Sequence, residues 1–266
     1  MSESSKKVLT MAQMSASGES PEVLFWVGCA GSYDERYKKV TLAMVQILQK
    51  AGINFAVLGE EETCTGDPAR RSGNEFLFQM QAMANIQVLN GYQITRIVTA
   101  CPHCFNTLKN EYPELGGNYE VMHHSQYIQS LIDNGKIKIE GGGFQGTKIT
   151  YHDSCYLGRA NGIYEAPRNV IEALDADLVE LKRCRSHGLC CGAGGAQMFK
   201  EAEPGHKEIN AERTEEALES GAKIIASACP FCMTMLSDGV KTREQEEKVS
   251  VLDIAELIAK SQKKQG

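Results

Sequence analysis

The chain has 266 residues, 42% of them hydrophobic, and a formal net charge of −6. That length and apolar content suffice for two ordinary cores. The charges are mixed, as in Lys38-Lys39 and Glu60-Glu61-Glu62, so the basic stripe of a nucleic-acid binder is excluded.

Taken in chain order, the first 22 residues are polar and lack the apolar stretch of a signal peptide. No run approaches the ~18 apolar residues of a membrane span, so a soluble, cytoplasmic chain is expected. Val23-Leu24-Phe25-Trp26-Val27 then forms a short apolar run ending at Gly28-Cys29, and an amphipathic stretch from Tyr33 to Lys50 follows, closed by Gly52. This order predicts strand, loop and helix. It recurs: Asn54 to Leu58 leads towards Cys64, a helix is predicted over Asn74 to Leu89, and Ile97-Val98-Thr99 runs into Cys101. Tyr119 to Met122 reads as another strand, with His123 and His124 beyond it and a helix from about Ser125. In the second half, Ile149-Thr150-Tyr151 runs into Cys155, Asp177 to Leu181 precedes the Cys190 loop, and Ile224-Ile225-Ala226 runs into Cys229. Charge-rich helical segments are expected at Glu212 to Leu218 and Lys241 to Lys248, with solvated faces. Strands alternating with helices predict an α/β fold: two tandem βαβ, Rossmann-like lobes with parallel sheets, related by a pseudo-two-fold repeat. The lobes are placed at 22–140 and 147–260, divided near Gly141-Gly142-Gly143.

Nine of the ten cysteines carry that repeat. The second copy reads Cys155, Cys190-Cys191-Gly192 and Cys229-Pro230-Phe231-Cys232, and the first reads Cys29, Cys64-Thr65-Gly66 and Cys101-Pro102-His103-Cys104. The offset is 126 positions for the first two groups and 128 for the CxxC pairs. Every motif cysteine follows a predicted strand, at the sheet edge where open α/β folds bind ligands. Pro102 and Pro230 suit first helical turns, whose free N–H groups and positive end stabilise thiolates. Five thiolates exceed what tetrahedral zinc or a simple iron-sulfur cube uses, which points to an unusual iron-sulfur centre in the second half. With Thr65 in place of a cysteine, the first half offers only four.

These motifs resemble the cysteine-rich CCG-domain proteins, which include the catalytic subunit of heterodisulfide reductase and the iron-sulfur subunits of glycolate and lactate oxidase systems. The resemblance runs from about Val23 to Ile258. It implies a noncubane 4Fe-4S cluster on Cys155, Cys190, Cys191, Cys229 and Cys232. Cys29, Cys64, Cys101 and Cys104 would hold a cubane 4Fe-4S cluster or zinc. His152 and Gly192 are placed beside the second cluster. Many such relatives begin with a ferredoxin-like module of CxxCxxCxxxCP runs, and this chain has none. The resemblance therefore implies an iron-sulfur subunit of an oxidoreductase, relaying electrons or reducing a disulfide-like substrate. Its partner would be a ferredoxin-like iron-sulfur subunit, a flavoprotein subunit or both, in a complex peripheral to the inner face of the membrane.

Two other readings stay open. A thioredoxin-type dithiol would use CPHC or CPFC between a strand and a helix, and zinc sites would make the chain a scaffold. Cys184 lies outside the repeat and reads as a buried apolar side chain. No role is assigned to His123, His124, His187 or His206, and Gly192 to Gly195 lacks the spacing of a dinucleotide loop.

Overall fold

A computed structural model describes residues 7–139, 143–201 and 204–262. Residues 140–142, where the division between lobes is expected, lie outside the described residues.

After α1 (Met11–Ala16), the first lobe runs β1 (Val23–Trp26), α2 (Gly28–Tyr33), α3 (Lys38–Lys50), β2 (Phe55–Ala56), α4 (Asp67–Arg71), α5 (Glu75–Gly91), β3 (Arg96–Thr99), α6 (Pro102–Asn106), β4 (Glu120–His123) and α7 (His124–Asp133). The second runs β5 (Lys148–Tyr151), α8 (Glu165–Glu172), β6 (Asp177–Leu178), α9 (Ile209–Glu219), β7 (Ile224–Ser227), α10 (Pro230–Thr242), β8 (Ser250–Asp253) and α11 (Ile254–Ser261). Each lobe holds one four-stranded parallel sheet, ordered β2-β1-β3-β4 and β6-β5-β7-β8. The identical order makes the two lobes similar, as the duplicated cysteines require. All four side chains of β1 are buried, because helices cover both faces of a parallel sheet.

Helix α3 presents Val40, Ala43, Met44, Ile47 and Leu48 at helical spacing. It packs on α11, while α7 packs on α8. One apolar core therefore passes from the first sheet through these inner helices to the second. A separate core of Leu24, Trp26, Phe78, Ala82, Ile86 and Phe105 lies under α5 on the outer face of the first sheet.

Three sequence expectations need correction. The helix expected over Tyr33 to Lys50 is broken: Asp34 is extended and its Oδ1 accepts a hydrogen bond from the Tyr37 N–H at 2.6 Å, so a local side-chain bond replaces the helical one. The helix expected at Lys241 to Lys248 ends at Thr242, because Glu244 takes a left-handed φ of 53° and the chain turns into β8, whose Val251 and Leu252 are buried. The face of α9 is not wholly solvated, since Arg213, Thr214 and Glu216 are buried.

Helices α9 and α10 meet at Gly239, where an added Cβ would lie 2.1 Å from Thr214 Oγ1 and 2.9 Å from Thr214 Cβ. Gly239→Ala is expected to cost about 1–3 kcal/mol through overpacking, read as a lower urea midpoint. An unchanged midpoint would show that the two helices separate without strain.

Candidate metal centre

In each sheet the order reverses between the first and third strands of the lobe, which is where an open α/β sheet forms a crevice. Cys29 follows β1 and Cys101 follows β3, and Cys155 and Cys229 follow β5 and β7 in the same way. The topology thus delivers residues far apart in sequence to one edge of each sheet.

The four first-lobe cysteines line a single cavity together with Thr65, Asp67 and His103, and Pro230 and Phe231 of the second lobe complete its wall. Cys29 is hydrogen-bonded to Cys64, which with the Gly66 N–H pulls the Cys64 thiol down to about 7. Burial pushes the Cys101 thiol well up. Thr65 is 2% exposed and its hydroxyl approaches Cys104 Sγ at 3.8 Å, so the position that lacks a thiol faces the site as a hydrogen-bond donor. Gly66 and Gly192 have φ of 90° and 93°, and their N–H groups lie 3.4 and 3.3 Å from the sulfurs of Cys64 and Cys190. This left-handed turn, which favours glycine, is the same in both copies.

In the second lobe the five expected residues are brought together. Thiol hydrogen bonds run from Cys155 to Cys190, Cys191, Cys232 and Cys229 in succession. Cys190 is held far below the ordinary thiol range by its bonds with Cys155 and Cys191. Burial opposes ionisation of Cys229, but bonds with Cys232 and His103 hold it well below that range too. Cys229 also stands at the N-terminus of α10, a 13-residue helix whose dipole favours a thiolate.

His152 comes close to this group: one ring nitrogen and the sulfurs of Cys191 and Cys232 lie within 4.8 Å of one another. Its Nδ1 accepts from Arg213 Nε at 2.9 Å, which places the imidazole proton on Nε2. Burial and the Arg213 charge bring its pKa down to about 3, so the ring is neutral near pH 7. Nε2 is buried without a partner, as is Ser154 Oγ. Next to it, Asp153 binds Arg168 through both carboxylate oxygens at 2.8 and 2.9 Å and accepts the Arg185 N–H at 2.6 Å. Arg168 is itself buried and reaches Glu180.

Sequence reasoning missed Asp67, His103 and Arg213. Asp67 Oδ2 lies 2.8 Å from His103 Nδ1, and both side chains are buried. The position of His103 inside a CxxC was a usable signal. Arg213 had none, because 61 residues separate it from His152. His123 and His124 are fully buried and link the lobes: His123 Nε2 donates to the Ala228 carbonyl at 3.1 Å, and His124 Nε2 donates to Asp253 Oδ1 at 2.9 Å. Cys184 is half-buried outside both cysteine groups.

Residues 23–109 and 149–237 both match the model of the CCG cysteine-rich domain. The chain is 45% identical over 250 residues to an EtfAB:quinone oxidoreductase of Syntrophomonas wolfei, covering 92% of this chain and 35% of that protein. It is 44% identical over 256 residues to a probable iron-sulfur-binding oxidoreductase of Bacillus subtilis, covering 96% and 36%. It is 35% identical over 251 residues to one of the subunits of the dihydromethanophenazine:CoB–CoM heterodisulfide reductase of Methanosarcina barkeri, covering 91% and 59%. The chain thus spans little more than a third of the first two and under two thirds of the last. A solved structure of a hypothetical protein from Helicobacter pylori overlays with a TM-score of 0.56 at 7% identity, covering 93% of this chain and 50% of its own, which speaks for the fold alone. No helix among the described residues is long and apolar enough to cross a membrane. Two matched segments account for most of the sequence and contain all nine repeated cysteines, and the chain belongs to the CCG cysteine-rich domain family.

Proposed function

We propose that the chain is an iron-sulfur unit of an oxidoreductase, with Cys155, Cys190, Cys191, Cys229 and Cys232 holding a noncubane 4Fe-4S cluster and Cys29, Cys64, Cys101 and Cys104 holding a cubane cluster or zinc. Each site belongs to one lobe, bounded in this reading at 22–140 and 147–260. The observation that carries the proposal is the unbroken chain of five thiols beside a buried polar group without a partner, His152 Nε2. Left so, the unpaired group costs about 1–3 kcal/mol. A sulfur-rich centre at this place gives it an acceptor, so the residues present fit the group.

When bound, such a cluster accepts and returns electrons one at a time. The chain's own residues set the conditions. His152 offers its Nε2–H to sulfur with its tautomer fixed by Arg213, and the Gly192 N–H offers another donor. Buried Arg213 places positive charge against His152, which stands beside Cys191 and Cys232. Ala193 and Phe231 pack with Cys191, Cys229 and Cys232, which are buried.

The trio of His152, Cys191 and Cys232 invites a zinc reading. A ligating histidine normally donates through its other nitrogen to a carboxylate or carbonyl. Here that nitrogen accepts from an arginine, which leaves Nε2 protonated and unable to ligate. A thioredoxin-like dithiol needs an accessible thiol of lowered pKa. Cys101 is buried and raised, and Cys229 is fully buried.

By similarity to the relatives above, the unit would pass electrons inside a larger complex, either between EtfAB and a quinone or towards a heterodisulfide. Its immediate partner would be a ferredoxin-like iron-sulfur or flavin-bearing unit, held at the inner face of a membrane. Anaerobic purification tests the metal assignment: about four irons with acid-labile sulfide are expected in the second site even when Cys29 and Cys64 are both replaced. Colourless protein carrying only zinc would overturn it.

A further inference from the structure

The repeat that relates the cysteines also relates residues around them. The 126-residue offset from Cys29 to Cys155 carries Trp26 to His152, and the strand register is kept, with Phe25 beside Val98 and Tyr151 beside Ala226. Both rings therefore stand three residues before the leading cysteine of their set. Trp26 is fully buried and packs in one cluster with Cys101, Cys104 and Phe105. Its Nε1 is buried without a partner among the described residues, as is His152 Nε2. In the second lobe a ring nitrogen of His152 lies within 4.8 Å of the sulfurs of Cys191 and Cys232, whose counterparts Thr65 and Cys104 approach each other at 3.8 Å. The repeat thus sets the indole beside the first site as it sets the imidazole beside the second.

The helix residue behind each ring fits this pairing. Arg213 of α9 donates to His152 Nδ1 and so keeps the proton on Nε2. The 128-residue offset of the CxxC pairs carries Arg213 back to Asn85 of α5, which bonds instead to Thr63, the Cys64 carbonyl and Tyr112. An imidazole needs a partner to hold its donor at one nitrogen, whereas an indole N–H is a donor with no tautomer to fix. The arginine is present where the ring is histidine and absent where it is tryptophan.

We propose that Trp26 is a positioning residue for the first site, its indole N–H donating to the sulfurs of a metal centre held by Cys29, Cys64, Cys101 and Cys104. This rests on the metal reading given above. It holds for a cluster or for zinc, since a metal-bound thiolate accepts such a bond in either case and a donor beside it supports the ligand set. The two lobes then share one device, a buried N–H placed three residues before the leading cysteine, built from two different side chains.

Trp26 is the only tryptophan in the chain, so nitrogen-labelled protein gives a single indole N–H resonance. The probe is zinc, which is diamagnetic, added to the reduced, metal-free full chain. First-site metal is the content lost in the double variant Cys29→Ala/Cys64→Ala. The resonance is expected to move downfield as zinc fills the first site, and to stay in place in the double variant. An unmoved resonance with zinc bound there overturns the proposal, as does a shift that persists in the double variant. Trp26→Phe keeps an aromatic ring without the N–H. It is expected to weaken the hold of the first site on its metal, zinc or iron, about tenfold in competition with a chelator, and an unchanged affinity overturns the proposal. Zinc and iron contents that are the same in the double variant as in the parent would instead overturn the metal reading of the first lobe, and this proposal with it.

Discussion

Cys191→Thr is expected to abolish or convert the noncubane signal proposed for the second site, while Thr65→Cys leaves that signal intact and alters only the first. The reason lies in the one ligand position at which the repeats differ. Cys191 is buried at the centre of the thiol chain, bonded to Cys190 on one side and Cys232 on the other. Threonine at the equivalent place in the first lobe sends its hydroxyl towards Cys104 and supplies no thiolate. The turn around that position is nevertheless shared by both copies, with the glycine that follows in a left-handed conformation and its N–H on the sulfur of Cys64 or Cys190. Cys191→Thr therefore asks a small side chain to fit a place that already accepts one in the first lobe, and ligand count changes with little change in shape. Electron paramagnetic resonance with iron counting reads the result. If spectrum and iron content are untouched, the fifth thiol is not a ligand and the proposed centre is wrong, although the fold stands.

Arg168→Met is expected to destabilise the protein by about 3–5 kcal/mol, the cost of breaking a buried ion network by removing one partner. Arg168 is 1% exposed and holds Asp153 with two hydrogen bonds, and it reaches Glu180 with two more. Methionine fills much of the volume but leaves the Asp153 carboxylate buried with only the Arg185 N–H. Asp153 stands between His152 and Cys155, so loosening it also frees the loop that delivers Cys155 to the site. Urea denaturation of the metal-free protein measures the first effect, and iron retention after gel filtration measures the second. A variant as stable as the parent would show that the network carries no net free energy.

Much of this architecture was legible in the residues themselves. Apolar runs placed before each motif cysteine marked the strands, since a parallel strand buried on both faces must be apolar throughout, as Val23 to Trp26 is. The duplicated spacing showed two lobes, and Thr65 opposite Cys191 marked the one position at which their cysteine sets differ. Local competition escaped that reading, because Asp34 ends one helical turn through a single side-chain bond and Glu244 ends another by its backbone conformation. The groups surrounding the sulfurs escaped it for a different reason. Arg213 meets His152 across 61 residues, and His103 meets Cys229 across the lobe boundary. A spacing repeated within each half can list the thiols that converge. The partners of those thiols come from elements that only the packing of one lobe against the other brings within hydrogen-bonding distance, and no local pattern encodes that distance.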